Sequence, residues 1–116
     1  MFNTGTYNFT LNQGSTLRKT FTWTACGDPV DLTGWTGRSQ FRTTIQSPTA
    51  ALDMTSLNGG IIIDPLVGSI TMFASAGDTS LLTADGYVYD LELINPSGDV
   101  DRLVQGYVTM SPGVTR

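Results

Sequence analysis

The residues of this chain that could do chemistry are few, and each has a plainer use beside it. Asp90 and Glu92 stand two apart, and paired carboxylates can divide the roles of glycoside hydrolysis. On an extended strand they would lie ~6.6 Å apart along the chain, and nothing in the neighbouring sequence marks one of them to stay protonated. Asn95, Ser97, Asp99 and Asp101 alternate oxygen donors in a manner that could suit calcium. They lack the glycine and terminal glutamate of a dedicated calcium loop, which leaves a polar turn. Asn58-Gly59-Gly60 has the small residues of a phosphate loop, yet neither a Lys-Ser/Thr pair nor a helix follows, so it reads as a turn. Cys26 is a single thiol with no cation nearby to activate it. Trp23 and Trp35 could stack on sugar rings if exposed, but their alternation with polar neighbours places them in the core.

The inventory excludes more than it offers. There is no histidine, the usual general base and commonest neutral metal ligand, and one cysteine makes neither an internal disulfide nor a thiolate zinc site. The expectation is a protein that is not an enzyme and holds no metal or cofactor. Net charge is −4, with only six basic residues scattered along the chain, which leaves no cationic footprint for nucleic acid or anionic lipid. No apolar run approaches the length of a membrane span, and Met1 to Thr6 lacks the pattern of a secretory leader. At 116 residues the chain predicts one domain, which at this size can hide about two-thirds of its surface.

The elements that must position these residues are strands. Threonine occurs 18 times, beside 13 glycines and 5 prolines, and this combination favours strands punctuated by turns. Tyr7, Phe9 and Leu11 share one parity, as do Leu17, Lys19, Phe21 and Trp23. The intervening Asn12-Gln13-Gly14-Ser15 predicts a turn that pairs these two strands. After the breaker Cys26-Gly27-Asp28-Pro29, a third strand is expected over 35–46, with Trp35, Gly37, Ser39, Phe41 and Ile45 on one side and Arg38, Gln40, Arg42 and Thr44 on the other. Ala50 to Ser56 fits either a short edge strand or a helical turn, with strand preferred, and Ile61-Ile62-Ile63 should form a hairpin with 69–74. Asp78 to Leu82 reads as one helical turn capped by Asp78. The clearest strand is 86–94, with Tyr87, Tyr89, Leu91 and Leu93 inward and Asp90 and Glu92 outward. Asn95-Pro96-Ser97-Gly98-Asp99 should turn it back into 100–110. Seven or eight strands at such spacing, with no lasting helical period, predict an all-β sandwich. Its expected core includes Phe9, Phe21, Trp23, Trp35, Phe41, Tyr87, Tyr89, Leu91 and Leu93.

A family resemblance runs through these same residues. The order N-Q-G-S-T (12–16), F-T-W-T (21–24), G-D-P-V-D-L-T-G-W (27–35), S-Q-F-R (39–42), G-S-I (68–70), G-Y-V-Y-D-L-E-L (86–93) and the closing V-T-R is similar to small bacteriophage virion proteins. In particular it resembles the immunoglobulin-like N-terminal domain of phage baseplate upper proteins and short tail or neck proteins built on that domain. The resemblance implies an immunoglobulin-like antiparallel β-sandwich that serves as a multi-copy adaptor in a tail, baseplate or neck. Its partners would be other virion proteins and copies of itself, its location the virion after synthesis in the bacterial host cytoplasm, and fibres could be held on it. These 116 residues do not include the long C-terminal coiled coil and receptor-binding region of the baseplate proteins, so the implied role is scaffolding. Ala84-Asp85-Gly86-Tyr87-Val88-Tyr89 further resembles the immunoglobulin tyrosine corner, with Tyr89 where that pattern would place a cysteine.

In such a sheet the strand carrying Arg38 and Arg42 would neighbour the strand carrying Asp90 and Glu92, giving cross-strand ion pairs. Val88, Ile94, Leu103 and Tyr107 share the outward side. Together these eight residues define a candidate interface: the four charged groups by themselves fit a solvated sheet face, while the apolar groups beside them favour a subunit contact. Residues 1–6 and 111–116 are expected to be arms that gain order on a neighbouring subunit. Two other functions remain open from the sequence: a capsid decoration protein that cements shell subunits, and a carbohydrate-binding module.

Overall fold

A computed structural model describes residues 5–113. In chain order the elements are β1 (Gly5–Thr6), β2 (Phe9–Asn12), β3 (Leu17–Thr22), β4 (Thr24–Ala25), β5 (Asp28–Pro29), β6 (Thr36–Arg42), β7 (Leu52–Thr55), β8 (Ile61–Asp64), β9 (Ser69–Ala74), the short helix α1 (Ala76–Thr79), β10 (Gly86–Ile94) and β11 (Val100–Ser111). Two sheets face each other as a β-sandwich. The larger runs β11-β10-β6-β7, with β1 and β2 together forming the edge beside β11; the smaller runs β3-β9-β8, and β4 with β5 makes a separate ribbon. Counting β1 and β2 as one edge and leaving the ribbon aside, eight strands build the sandwich. That edge pairs parallel with β11, so the sandwich is not wholly antiparallel.

Alternation explains the core. Along β10, Tyr87, Tyr89, Leu91 and Leu93 are buried while the residues between them are half-exposed, and β9 answers with Ile70, Met72 and Ala74. Phe41, Met54, Leu32, Leu82 and Val108 are fully buried among them. The sheets approach closely at Gly37, where a Cβ would sit 2.6 Å from Ile61 Cγ2. Phe9, Phe21, Trp23 and Trp35 are half-buried at the margins. Trp23 and Trp35 meet edge to face beside the ribbon, with centroids 5.6 Å apart at 87°. Tyr7 and Phe9 stack under the Lys19 ammonium, and Phe21 meets the Tyr7 ring edge to face.

Several local expectations require correction. The strands flanking 12–15 do not pair: β2 runs beside β11 and β3 beside β9, so this turn carries the chain from one sheet to the other. Parity reveals which face is buried, not which strand lies alongside. The third strand ends at Arg42, because Thr43 to Ser47 close a turn through Ser47 N donating to the Thr44 carbonyl and a 2.7 Å contact between the Thr43 and Ser47 hydroxyls. Ile45 therefore leaves the core and is 80% exposed. The helical turn begins earlier than expected and is capped by Ser75, whose Oγ accepts from Asp78 N. The 61–64 with 69–74 and the 86–94 with 100–111 hairpins form as the turns predict.

Tyrosines tie the edges down. Tyr87 Oη accepts from Ala84 N at 3.0 Å, the contact expected of the corner motif. Tyr89 Oη donates to the Tyr7 carbonyl at 2.6 Å, at the kink between β1 and β2. The kink fits because Gly106 has no side chain: a Cβ there would lie 2.0 Å from the Tyr7 oxygen. Asn8 Oδ1 then accepts from Tyr107 N at 2.9 Å. Gly5 and Thr6 thus pair within the chain's own sheet, Ser111 ends β11 and Pro112 and Gly113 follow it outside any strand, while the rest of both expected arms, 1–4 and 114–116, lies outside the described residues.

Candidate docking face

The outer face of the large sheet is a set of cross-strand rows, because directly paired residues of antiparallel strands point to the same side. Around β10 the rows read Tyr107, Val88, Arg42; then Gln105, Asp90, Gln40, Asp53; then Arg102, Glu92, Arg38, Thr55; then Val100, Ile94, Thr36. Two polar rows therefore lie between two that carry apolar groups. Three of the chain's six basic residues share this one face.

The ion pairs differ from the expected set. Arg38 Nε holds Glu92 Oε1 at 2.8 Å, as the strand order suggests, but Asp90 pairs diagonally with Arg102 Nε at 3.3 Å. Among the described residues Arg42 hydrogen-bonds to neutral acceptors: Nη1 donates to the Ser47 carbonyl at 2.6 Å and Nη2 to Gln40 Oε1 at 2.7 Å, while Gln40 is in turn steadied by Asp53. Burial, followed by the Glu92 charge, raises the Asp90 carboxyl above its ordinary value, against the pull of Arg102, Arg38 and Arg42. Asp90 and Glu92 are each occupied by an arginine.

A β-bulge explains both the new partner and a misplaced residue. Register shifts between Leu91 and Glu92, so that Leu91 faces Val104 while Glu92 faces Arg102. Leu103 is the extra residue and turns into the core, 9% exposed. Without the bulge it would stand opposite Glu92 on the outer face, where the sequence places it. Leu103 is therefore removed from the candidate interface and Arg102 takes its place. Two adjacent apolar residues, Leu103 and Val104, conceal the shift, since either could face inward.

The remaining members stay on the outer face. Val88 and Ile94 are half-buried, and Tyr107 is 45% exposed. Tyr107 lies across Gly86, where a Cβ would fall 2.0 Å from its hydroxyl, so the ring is both positioned and accessible. Beside it, a groove of about 530 Å³ is bordered by Thr6, Gln40, Arg42, Ile45, Val88 and Gln105. Ile45 was hidden from sequence reasoning by the early end of β6.

The other candidates resolve into turn chemistry. Asn95 Oδ1 accepts from Ser97 N and Asp99 N, and its amide contacts Asp99 Oδ2 at 3.3 Å, so these groups close the hairpin. Asn58 Oδ1 likewise accepts from Thr55 N and Gly60 N. Cys26 is exposed at the ribbon tip. Among the described residues no three of His, Cys, Asp or Glu gather as ligands for a metal ion, and no helix is long and apolar enough to cross a membrane. Compared with known proteins, the sequence matches no family profile and no curated protein.

Proposed function

We propose that this chain is a non-enzymatic structural protein of a bacteriophage virion, a multi-copy adaptor that docks through the outer face of its large sheet onto tail, baseplate or neck components. The observation that carries the reading is that face. It offers a fixed aromatic, exposed aliphatic groups and arginines held in place by their own neighbours, which are the residue types that anchor protein interfaces. An immunoglobulin-like fold is part of the proposal. The sheet pairing β3-β9-β8 against β2-β11-β10-β6-β7, together with the Tyr87 to Ala84 contact, supports it. The resemblance to baseplate upper proteins supplies the setting.

The sugar-binding alternative requires rings presented side by side. Trp23 and Trp35 stand perpendicular and half-buried, which favours their role as packing groups. Separating phage particles into heads and tails and probing each fraction for this chain tests the proposal. It expects the chain in the tail or neck fraction. Recovery with heads alone would favour capsid cementing, and absence from both would overturn a virion role.

A further inference from the structure

The outer-face groove has a counterpart at the opposite end of the same molecule. The 65–68 turn between β8 and β9 exposes Leu66 and Val67, at 77% and 50%, beside the Asp64 carboxyl that ends β8. The turn is firmly held. Gly68 N donates to the Asp64 carbonyl, Leu32 N to the Pro65 carbonyl and Trp23 N to the Gly68 carbonyl, all at 2.8–3.0 Å. Two apolar side chains are thus displayed on a fixed loop, and a preorganised loop loses little entropy when it binds.

The groove offers the complementary chemistry. Ile45 and Val88 supply apolar walls, and the Arg42 guanidinium is anchored by two neutral oxygens; the two carboxylates that also line the groove, Asp90 and Glu92, are engaged by Arg102 and Arg38. An arginine fixed in this way keeps N–H donors for an incoming carboxylate. One copy cannot join these two surfaces within itself. The turn packs beside Trp23, which meets Trp35 just before β6, whereas Arg42 is the last residue of β6; the seven residues of that strand span about 20 Å.

We propose that the β8–β9 turn of one copy seats in the groove of the next, with Leu66 and Val67 against Ile45 and Val88 and the Asp64 carboxylate on Arg42. This rests on the multi-copy reading above and names the partner as a second copy of the chain. Because the two surfaces differ, the contact is head to tail, and repetition gives a ring if the rotation closes and a filament if it does not. Only a few side chains take part, so the isolated contact belongs with weak interfaces and strengthens when a virion holds copies close together.

Sedimentation equilibrium of the purified chain, from about 10 µM to about 1 mM to cover this weak range, tests the contact. The average mass should rise with concentration. Arg42→Asp and the double variant Leu66→Ser/Val67→Ser should each weaken association by about tenfold or more. An equal mixture of Arg42→Asp and Asp64→Arg chains should recover it, since each chain then meets a matching charge at both ends. The turn variant alters only exposed side chains, so it remains informative if Arg42→Asp fails to fold. A monomer throughout, or association indifferent to these variants, overturns the proposal. A monomer still found in tail fractions would do so while leaving the virion role intact.

Discussion

At the scale of single residues, Tyr89 and Asp90, on neighbouring positions of one strand, are both held toward their protonated forms by burial. Burial, with a smaller contribution from Tyr7, pushes the Tyr89 phenol up to about 12. The fold therefore keeps the proton that the unfolded chain releases near pH 10, and the associated stability is whole below that pH and lost as pH rises through the folded value. Tyr89→Phe should cost about 1 kcal/mol near neutrality through the missing bond to the Tyr7 carbonyl, and should flatten the alkaline decline. Urea melts between neutral and alkaline pH check this; a decline as steep as in the parent would contradict it. Asp90 is also raised, so stability linked to its proton is present below the ordinary carboxyl value near 4 and is lost as pH increases through the folded value. Arg102 is the largest opposing influence. Arg102→Ala should therefore lose more stability than the parent between acid and neutral pH, with the two closest at low pH, as thermal melts would show. Asp90 and Glu92 were legible as outward carboxylates from alternation alone. The neutral anchoring of Arg42 was not, because it depends on a loop carbonyl and an amide that periodicity does not locate.

Elements built from local alternation and strong turns were the readable ones. β10 shows its inward face in Tyr87, Tyr89, Leu91 and Leu93, and the β8–β9 and β10–β11 hairpins follow from the residues at their turns. Long-range pairing was not readable: β2 and β3 are separated by a short turn yet lie in different sheets. The β1–β2 edge depends on Gly106 leaving room for the Tyr7 carbonyl, a contact across 99 positions of chain that no nearby signal announces. Gly106→Ala should force that edge away and destabilise the fold by about 1–3 kcal/mol. Amide exchange should accelerate in β1 and β2 well before β10. Uniform acceleration, or none, would show that the edge is not held there.

At the scale of the whole molecule, the sandwich was legible because threonine, glycine and alternating apolar residues all point to one architecture. The docking face was only partly legible, since the bulge exchanged Leu103 for Arg102 and the end of β6 released Ile45. The central claim is that this face acts by being covered. Hydroxyl-radical footprinting of side chains, comparing the dilute chain with the chain in purified phage particles, tests that most directly. The account predicts that Tyr107, Ile45 and Val88 lose labelling in the particle while Leu57, 95% exposed on the turn before β8, keeps its own. Unchanged labelling of Tyr107, Ile45 and Val88 in particles that contain the chain would contradict it.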